Sequence, residues 1–214
     1  VIKGPQTVSH GPGNSAGTVM FEREQKRFSQ PGWSLYGSLL GGSFGRNDEV
    51  IDARVGNQLL DGRIAATRSD MNDYKDGSGN SIHSAYTRWS TNAVLGWNVN
   101  TSTRLELSGA KSDGEAAYAD RAMDGSKFER DNIGLKLDMR KPMANVERVE
   151  AQLFHNYIDH VMDNYTLRDT TGMAMAMNPD RLTTGGRFAL TLAPAKQTEL
   201  KLGLDQQSNI HTNR

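Results

Sequence analysis

A two-residue rhythm of apolar and polar side chains constrains this chain more than any other feature. In the stretch Thr198–Asp205, Leu200, Leu202 and Leu204 alternate with Glu199, Lys201 and Asp205. Between Asn132 and Arg140, Ile133, Leu135, Leu137 and Met139 alternate with Asn132, Lys136, Asp138 and Arg140. Leu182, Phe188, Leu190 and Leu192 do the same against Arg181 and Arg187, and Leu105 and Leu107 against Arg104 and Glu106. Successive residues of an extended strand point to opposite faces, so each stretch predicts a β-strand with one apolar and one polar face. The chain is expected to be all-β.

Two architectures use such strands: a soluble antiparallel sandwich and a membrane β-barrel. Strand length favours the barrel, because several alternating stretches run to about ten residues or more where ordinary strands average about 5–6. Connection lengths favour it too. Short links at Asn98–Thr103, Lys141–Asn145 and Ala193–Lys196 alternate with long polar ones at Asp70–His83, Asp113–Lys127 and roughly Asp163–Asp180. Membrane barrels place short turns at one rim and long loops at the other, which a sandwich has no reason to do. Trp89 and Trp97 share a parity and are separated by about 20 Å of height on a tilted strand, near the spacing of two aromatic girdles.

Strands are expected near residues 33–44, 49–57, 62–70, 84–98, 104–112, 128–140, 147–161, 181–193 and 198–210. About nine strands with two unpaired edges make a partial transmembrane antiparallel barrel, one part of a larger one. The opening Val1-Ile2-Lys3-Gly4-Pro5 reads as the middle of a strand entering a turn, so the chain is expected to be a fragment continuing at both ends. No run of about 18 apolar residues is present to form a helical span, and the mean hydropathy of −0.63 suits strands that average their two faces. Twenty-five basic against twenty-five acidic residues argue against a nucleic-acid partner, which wants a basic face. The absence of cysteine is compatible with an extracytoplasmic address.

Residues 1–24 do not alternate. A strand breaks at Gly4-Pro5, a glycine-rich bend follows at Gly11, Gly13 and Gly17, and a strand resumes at Thr18–Phe21. A phosphate cradle is excluded, since the glycine spacing is wrong and no Lys-Ser/Thr follows. The segment resembles the end of the plug domain of TonB-dependent receptors, where Gly-Pro-Gln/Ser leads to a glycine-rich turn and a closing strand. His10 stands where an aromatic residue, usually Tyr, is common. The resemblance implies residues 1–24 as the C-terminal end of a plug and residues 25–214 as the N-terminal part of the barrel. It also implies a Gram-negative outer-membrane address, contact with the lipid bilayer, and energy coupling through the TonB–ExbB–ExbD complex.

Val161-Met162-Asp163-Asn164-Tyr165, Met173-Ala174-Met175-Ala176-Met177-Asn178-Pro179-Asp180-Arg181, Arg88-Trp89-Ser90-Thr91-Asn92 and Ser112-Asp113-Gly114-Glu115-Ala116-Ala117-Tyr118 resemble the copper receptors of that family. That likeness implies copper uptake across the outer membrane. The residues themselves suit copper. His160 and Met162 are two apart, and share the polar parity of Glu150, Gln152 and Asn156 rather than the apolar parity of Val149, Ala151 and Leu153. Imidazole and thioether select soft copper, above all Cu(I), over magnesium or calcium. A His-x-Met pair is common by chance, so the pairing alone is weak. In the family likeness a Cys and a Met of the plug, upstream of Val1, complete the site.

Met173, Met175 and Met177 fall in an expected external loop, where thioethers bring no turn chemistry, and form a possible secondary capture site. They could equally pack on a neighbouring loop. His10, His83, His155 and His211 are read as structural, His155 because it carries the lipid-facing parity. A receptor for a siderophore or other metal complex is the alternative within the family, and a passive porin outside it. No nucleophile elbow, paired-carboxylate site or His-Glu-x-x-His spacing is present, and no catalysis is expected.

Overall fold

The computed structural model describes residues 28–170 and 172–214, with the backbone of residues 2–3 and 17–18. In chain order the strands are β1 (Ile2–Lys3), β2 (Gly17–Thr18), β3 (Gly32–Gly41), β4 (Asn47–Gly56), β5 (Leu60–Met71), β6 (Tyr74–Lys75) and β7 (Ser81–Ile82). There follow β8 (Tyr86–Asn98), β9 (Thr103–Ala116), β10 (Asp124–Met143), β11 (Val146–Asp163), β12 (Ala176–Met177), β13 (Pro179–Ala195) and β14 (Thr198–Asn213). β1 pairs with β2, at the two strand segments expected to flank the glycine-rich bend. Gly17, expected in the bend, opens β2, while Gly11, Gly13, His10 and most of the 1–24 segment lie outside the described residues.

The long strands form one antiparallel sheet in the order β3-β4-β5-β8-β9-β10-β11-β13-β14, with β12 added beside the outer end of β11. Each long strand lies beside its neighbours in sequence, so the wall is an up-and-down meander. Among the described residues the nine long strands correspond to the nine expected from alternation. β3 stops earlier than expected, because Ser43–Gly45 closes into a 3-10 turn with Phe44 in the left-handed region, at φ 59°. Most of the others run a few residues further, and β10 reaches 20 residues.

Cross-strand register gathers the apolar residues on one face. One row runs Trp33, Val55, Gly62, Leu95, Leu107, Leu135, Leu153 and Gly186, and the next runs Leu60, Trp97, Leu105, Leu137, Ala151, Phe188 and Leu204. The opposite face carries the row Asp61, Gly96, Glu106, Lys136, Gln152, Arg187 and Asp205. The apolar face is bare: Trp33 is 76% exposed, Leu153 61% and Leu204 69%. Among the described residues Ala117 is the one buried hydrophobic side chain, whereas Arg104, Asp124, Asp159, Asp163 and Asp180 are all buried. The interior is therefore polar and the exterior apolar, the reverse of a water-soluble domain. Trp89 and Trp97 both stand on the apolar face, as their parity required.

Short turns occupy one rim, at residues 57–59, 99–102, 144–145 and 196–197. Local hydrogen bonds and left-handed residues close them. The Asn100 carboxamide oxygen accepts from the Ser102 and Thr103 amides at 2.9 and 2.8 Å, and Asn57 does the same for Leu59 and Leu60. Asn145 and Gln197 sit at φ 62°. The long loops, residues 72–85, 117–123 and 164–178, all emerge at the other rim.

One carboxylate ties these three loops together. Asp124, fully buried at the outer end of β10 and beyond the apolar belt, accepts from Arg168 Nε at 2.7 Å, from the Tyr118 amide at 2.8 Å, and shares a 2.8 Å contact with His83 Nε2. Arg168 also donates to the carbonyls of Arg121 and Tyr118. Burial alone would raise the Asp124 carboxyl, but the hydrogen bonds from Arg168, His83 and Tyr118 outweigh it and hold the group below the usual carboxylate range. A depressed carboxylate contributes its stability above the unfolded value of about 3.9 and loses it only as pH falls through the folded one. The clamp is thus complete at neutral and mildly acidic pH. Replacing Asp124 by Ala strands the Arg168 guanidinium, and breaking such a pair costs about 3 kcal/mol. Trypsin should then cut after Arg121 and Arg168 much faster than in the unaltered protein, with the long strands intact; unchanged cleavage rates would show that the loops are held by something else.

Candidate metal site

β11 carries the candidate ligands. Its pairing with β10 and β13 places Glu150, Gln152, Asn156 and His160 on the polar face, and Val149, Ala151 and Leu153 on the apolar one. His160 and Met162 therefore stand together on the inner face, near the outer end of an 18-residue strand. Both are half-buried.

His160 is packed rather than hydrogen-bonded at its outer nitrogen. The Nε2 atom is buried and has no hydrogen-bond partner, an arrangement that costs about 1–3 kcal/mol when nothing compensates it. Its ring lies against Phe128, its cross-strand partner on β10, with centroids 4.8 Å apart and planes inclined by 36°. Just beyond Phe128 the ladder slips, and Ser126 is left without a partner in β11 between the pairs Lys127–Val161 and Gly125–Met162. Ser126 Oγ instead donates to Asp163 Oδ2 at 2.6 Å, which anchors the bulge.

Met162 has neighbours on both sides. Gly125 on β10 is its Cα partner, and Met177 on β12 is its partner across the other edge of β11. Of the three methionines expected in the outer loop, the structure brings Met177 beside Met162 and leaves Met173 and Met175 further along the same loop. Met173 is 83% exposed, and Met175 and Met177 about half as much. Asn164 holds the segment in place: its side chain accepts from the Met175 amide at 2.8 Å and donates to the Met173 carbonyl at 3.0 Å. Asp163 caps the turn that follows β11, accepting from the Thr166 amide at 2.7 Å and from its hydroxyl at 2.8 Å.

The remaining histidines have other surroundings. His83 belongs to the Asp124 clamp. His155 stands on the apolar face, exposed, with Nδ1 2.9 Å from Thr184 Oγ1, and His211 is exposed on β14 opposite Arg181. Among the described residues no three His, Cys, Asp or Glu side chains converge on one point. Alternation located His160 and Met162, but it gave no sign of Phe128, Gly125 or Asn164. Strict alternation would put Gly125 and Phe128 on opposite faces, and only the bulge at Ser126 brings them to the same one; Asn164 acts through a loop.

No family model and no curated protein matches the chain. Among solved structures it is similar to the copper transporter OprC, with 44% identity over 100% of this chain and a TM-score of 0.92. The FrpB iron transporter from Neisseria meningitidis shares the fold in two variants, F3-3 with a TM-score of 0.73 and F5-1 in its apoprotein form with 0.69, each at 16% identity. The chain spans 33% of the length of the copper transporter, and 36% and 35% of the two iron transporters. A two-faced antiparallel wall with a polar interior, together with this identity along its whole length, establishes that the chain belongs to the TonB-dependent receptors, as a portion of their β-barrel.

Proposed function

We propose that the receptor containing this chain takes up copper across the outer membrane of a Gram-negative bacterium, with His160 and Met162 as the barrel's ligands. The observation that carries the reading is the buried, unpartnered Nε2 of His160 on the inner face, two residues from an inward Met162. A nitrogen left free beside a thioether is a donor pair for a soft ion, and copper is the biological metal it suits best. The 44% identity to a copper transporter supports the same cargo; the iron transporters, at 16%, bear on the fold alone.

The site is built for two sides. The barrel supplies imidazole and thioether, and the plug, whose C-terminal end we assign to residues 1–24 with the barrel from 25 onward, supplies the Cys and Met that the copper receptors of this family carry. Met177 sits next to Met162, and with Met173 and Met175 it forms an outer capture site that hands the ion inward. Release into the periplasm is driven through the TonB–ExbB–ExbD complex. The protein acts as a transporter and carries no catalytic centre in this reading. Changing both His160 and Met162 to Ala in the full-length receptor should weaken Cu(I) binding by about a hundredfold or more, near 2.7 kcal/mol, in a competition titration against a copper chelator. Unaltered affinity in that variant would remove the assignment.

The exposed apolar rows supply the membrane argument. A single-layer wall whose large apolar residues mostly face outward is stable where that face meets hydrocarbon rather than water. Arg at Leu153, in the middle of the belt, should destabilise the barrel by about 2–4 kcal/mol in lipid vesicles, read from denaturant unfolding. Arg at the adjacent Gln152, on the polar face, should be tolerated. Equal effects at the two positions would contradict a lipid-facing belt.

A further inference from the structure

Phe128 touches the histidine of the site and also fills the place opposite its methionine. Gly125 is the Cα partner of Met162, and a Cβ built on Gly125 would overlap the Cζ and Cε2 atoms of the Phe128 ring. The phenyl group thus occupies the side-chain position that faces Met162 across the strands, where paired side chains normally interact. The same ring lies against His160 at 4.8 Å. Its backbone is fixed at this spot, because the Phe128 amide donates to Asp113 Oδ1 at 3.0 Å and the bulge at Ser126 turns the strand just before it. Bulges of this kind re-aim a side chain next to a functional site.

The geometry points to Phe128 as a positioning and selectivity residue for the copper site, an inference that rests on the reading of His160 and Met162 given above. Metal-bound histidines are usually oriented by a hydrogen bond from the ring to a neighbouring group. With Nε2 left for the ion, such a bond would fall to Nδ1, and what the structure places against the ring is the Phe128 face, which holds the imidazole plane. The ring also gives the ligand pair an apolar wall on the side of β10. A hard divalent ion keeps its water and seeks oxygen ligands, which a phenyl wall cannot replace. A soft monovalent ion gives up its water more readily and is satisfied by nitrogen and sulfur. Zn(II) is borderline between hard and soft and accepts nitrogen and sulfur, but as a divalent ion it gives up more hydration beside an apolar wall than Cu(I) does, so the wall favours Cu(I) over Zn(II).

Two substitutions disturb the ring by independent routes in the full-length receptor. Phe128→Leu removes the aromatic face, and Gly125→Ala pushes the ring off its seat without altering it or either ligand. Phe128→Tyr keeps the face. Cu(I), supplied from a chelator of known affinity under reducing conditions, and Zn(II) are titrated separately against each variant. Phe128→Leu and Gly125→Ala should each weaken Cu(I) binding about 10- to 100-fold, the range for loss of a metal ligand's supporting partner, and should narrow the Cu(I)-to-Zn(II) preference. Phe128→Tyr should retain both. Unchanged Cu(I) affinity and preference in either disturbed variant that folds would overturn the role of Phe128. The two readings fail differently: if His160→Ala abolishes Cu(I) binding while the ring variants do not, only the positioning role falls, whereas wild-type binding by His160→Ala removes the site itself.

Discussion

Each long strand of the wall is paired with its neighbours in antiparallel register over most of its length, and this ladder decides the direction of every side chain. Because the period is two, no residue can change face without a bulge. Among the described residues the wall is one layer thick with no second sheet against its apolar face, so the apolar rows are not gathered into a core. They are turned outward together, from Trp33 on β3 to Leu204 on β14. The same ladder satisfies the backbone groups, without which no chain could be placed in hydrocarbon.

On the inner face the polar residues are mostly matched side by side. Asp138 receives two hydrogen bonds from Arg148, at 2.8 and 2.9 Å, and Arg63 and Arg187 pair with Asp52 and Asp205. Arg104 passes over Gly96 of β8 to reach Asp61 on β5, at 2.9 Å from Nη2 to Oδ2. Only glycine leaves room for that crossing, since a Cβ at position 96 would fall within the guanidinium. Phe154 lies over Gly185, and Phe128 over Gly125, by the same device. Buried atoms without a hydrogen-bond partner are few, and beside oxygens of Asp70, Asp159 and Asn178 they include the Nε2 of His160. That nitrogen lies two residues from Met162, whose Cα partner on β12 is Met177.

The wall was largely legible because a half-buried strand writes its two environments directly into alternate residues. Leu135, Leu137 and Met139 name the outer face of β10, and Glu150, Gln152 and Asn156 name the inner face of β11 without knowledge of any partner. The signal fades toward the outer rim. Around Ser112–Glu115 and Asp124–Arg130 both faces are polar, so strands continue where alternation no longer marks them, and β9 and β10 run beyond their expected ends. His160 and Met162 were reachable by parity from the clear part of β11. Phe128 shares the inner parity of Asn132 and Lys136, but its meeting with Gly125 opposite Met162 depends on the unpaired residue 126, which alternation does not mark. The clamp around Asp124 joins residues more than 40 apart in the chain, and no local pattern records such a contact.

In the proposed reading, the placement of the donors within this frame orders the path of the ion. Met177 is 41% exposed at the mouth, Met162 beside it is half-buried, and the Nε2 of His160 one strand step deeper has no contact with solvent. Residues two apart on a strand are separated by about 7 Å, so successive donors are near enough for an ion to be passed while it sheds water in stages. Such a sequence works only if the outer donors keep their places, and a free loop would lose that order to entropy. Here the loop that carries Met173, Met175 and Met177 is fastened at several points: by Asp163 at its start, by Asn164 to its methionine segment, and by Arg168 to Asp124. In the proposed reading the loop is therefore part of the binding surface rather than a lid over it. In the same reading the buried carboxylate of Asp124, whose Cα partner Asp163 adjoins Met162, supports the capture path by holding the strand that presents Gly125 and Phe128 to the loop that presents Met177.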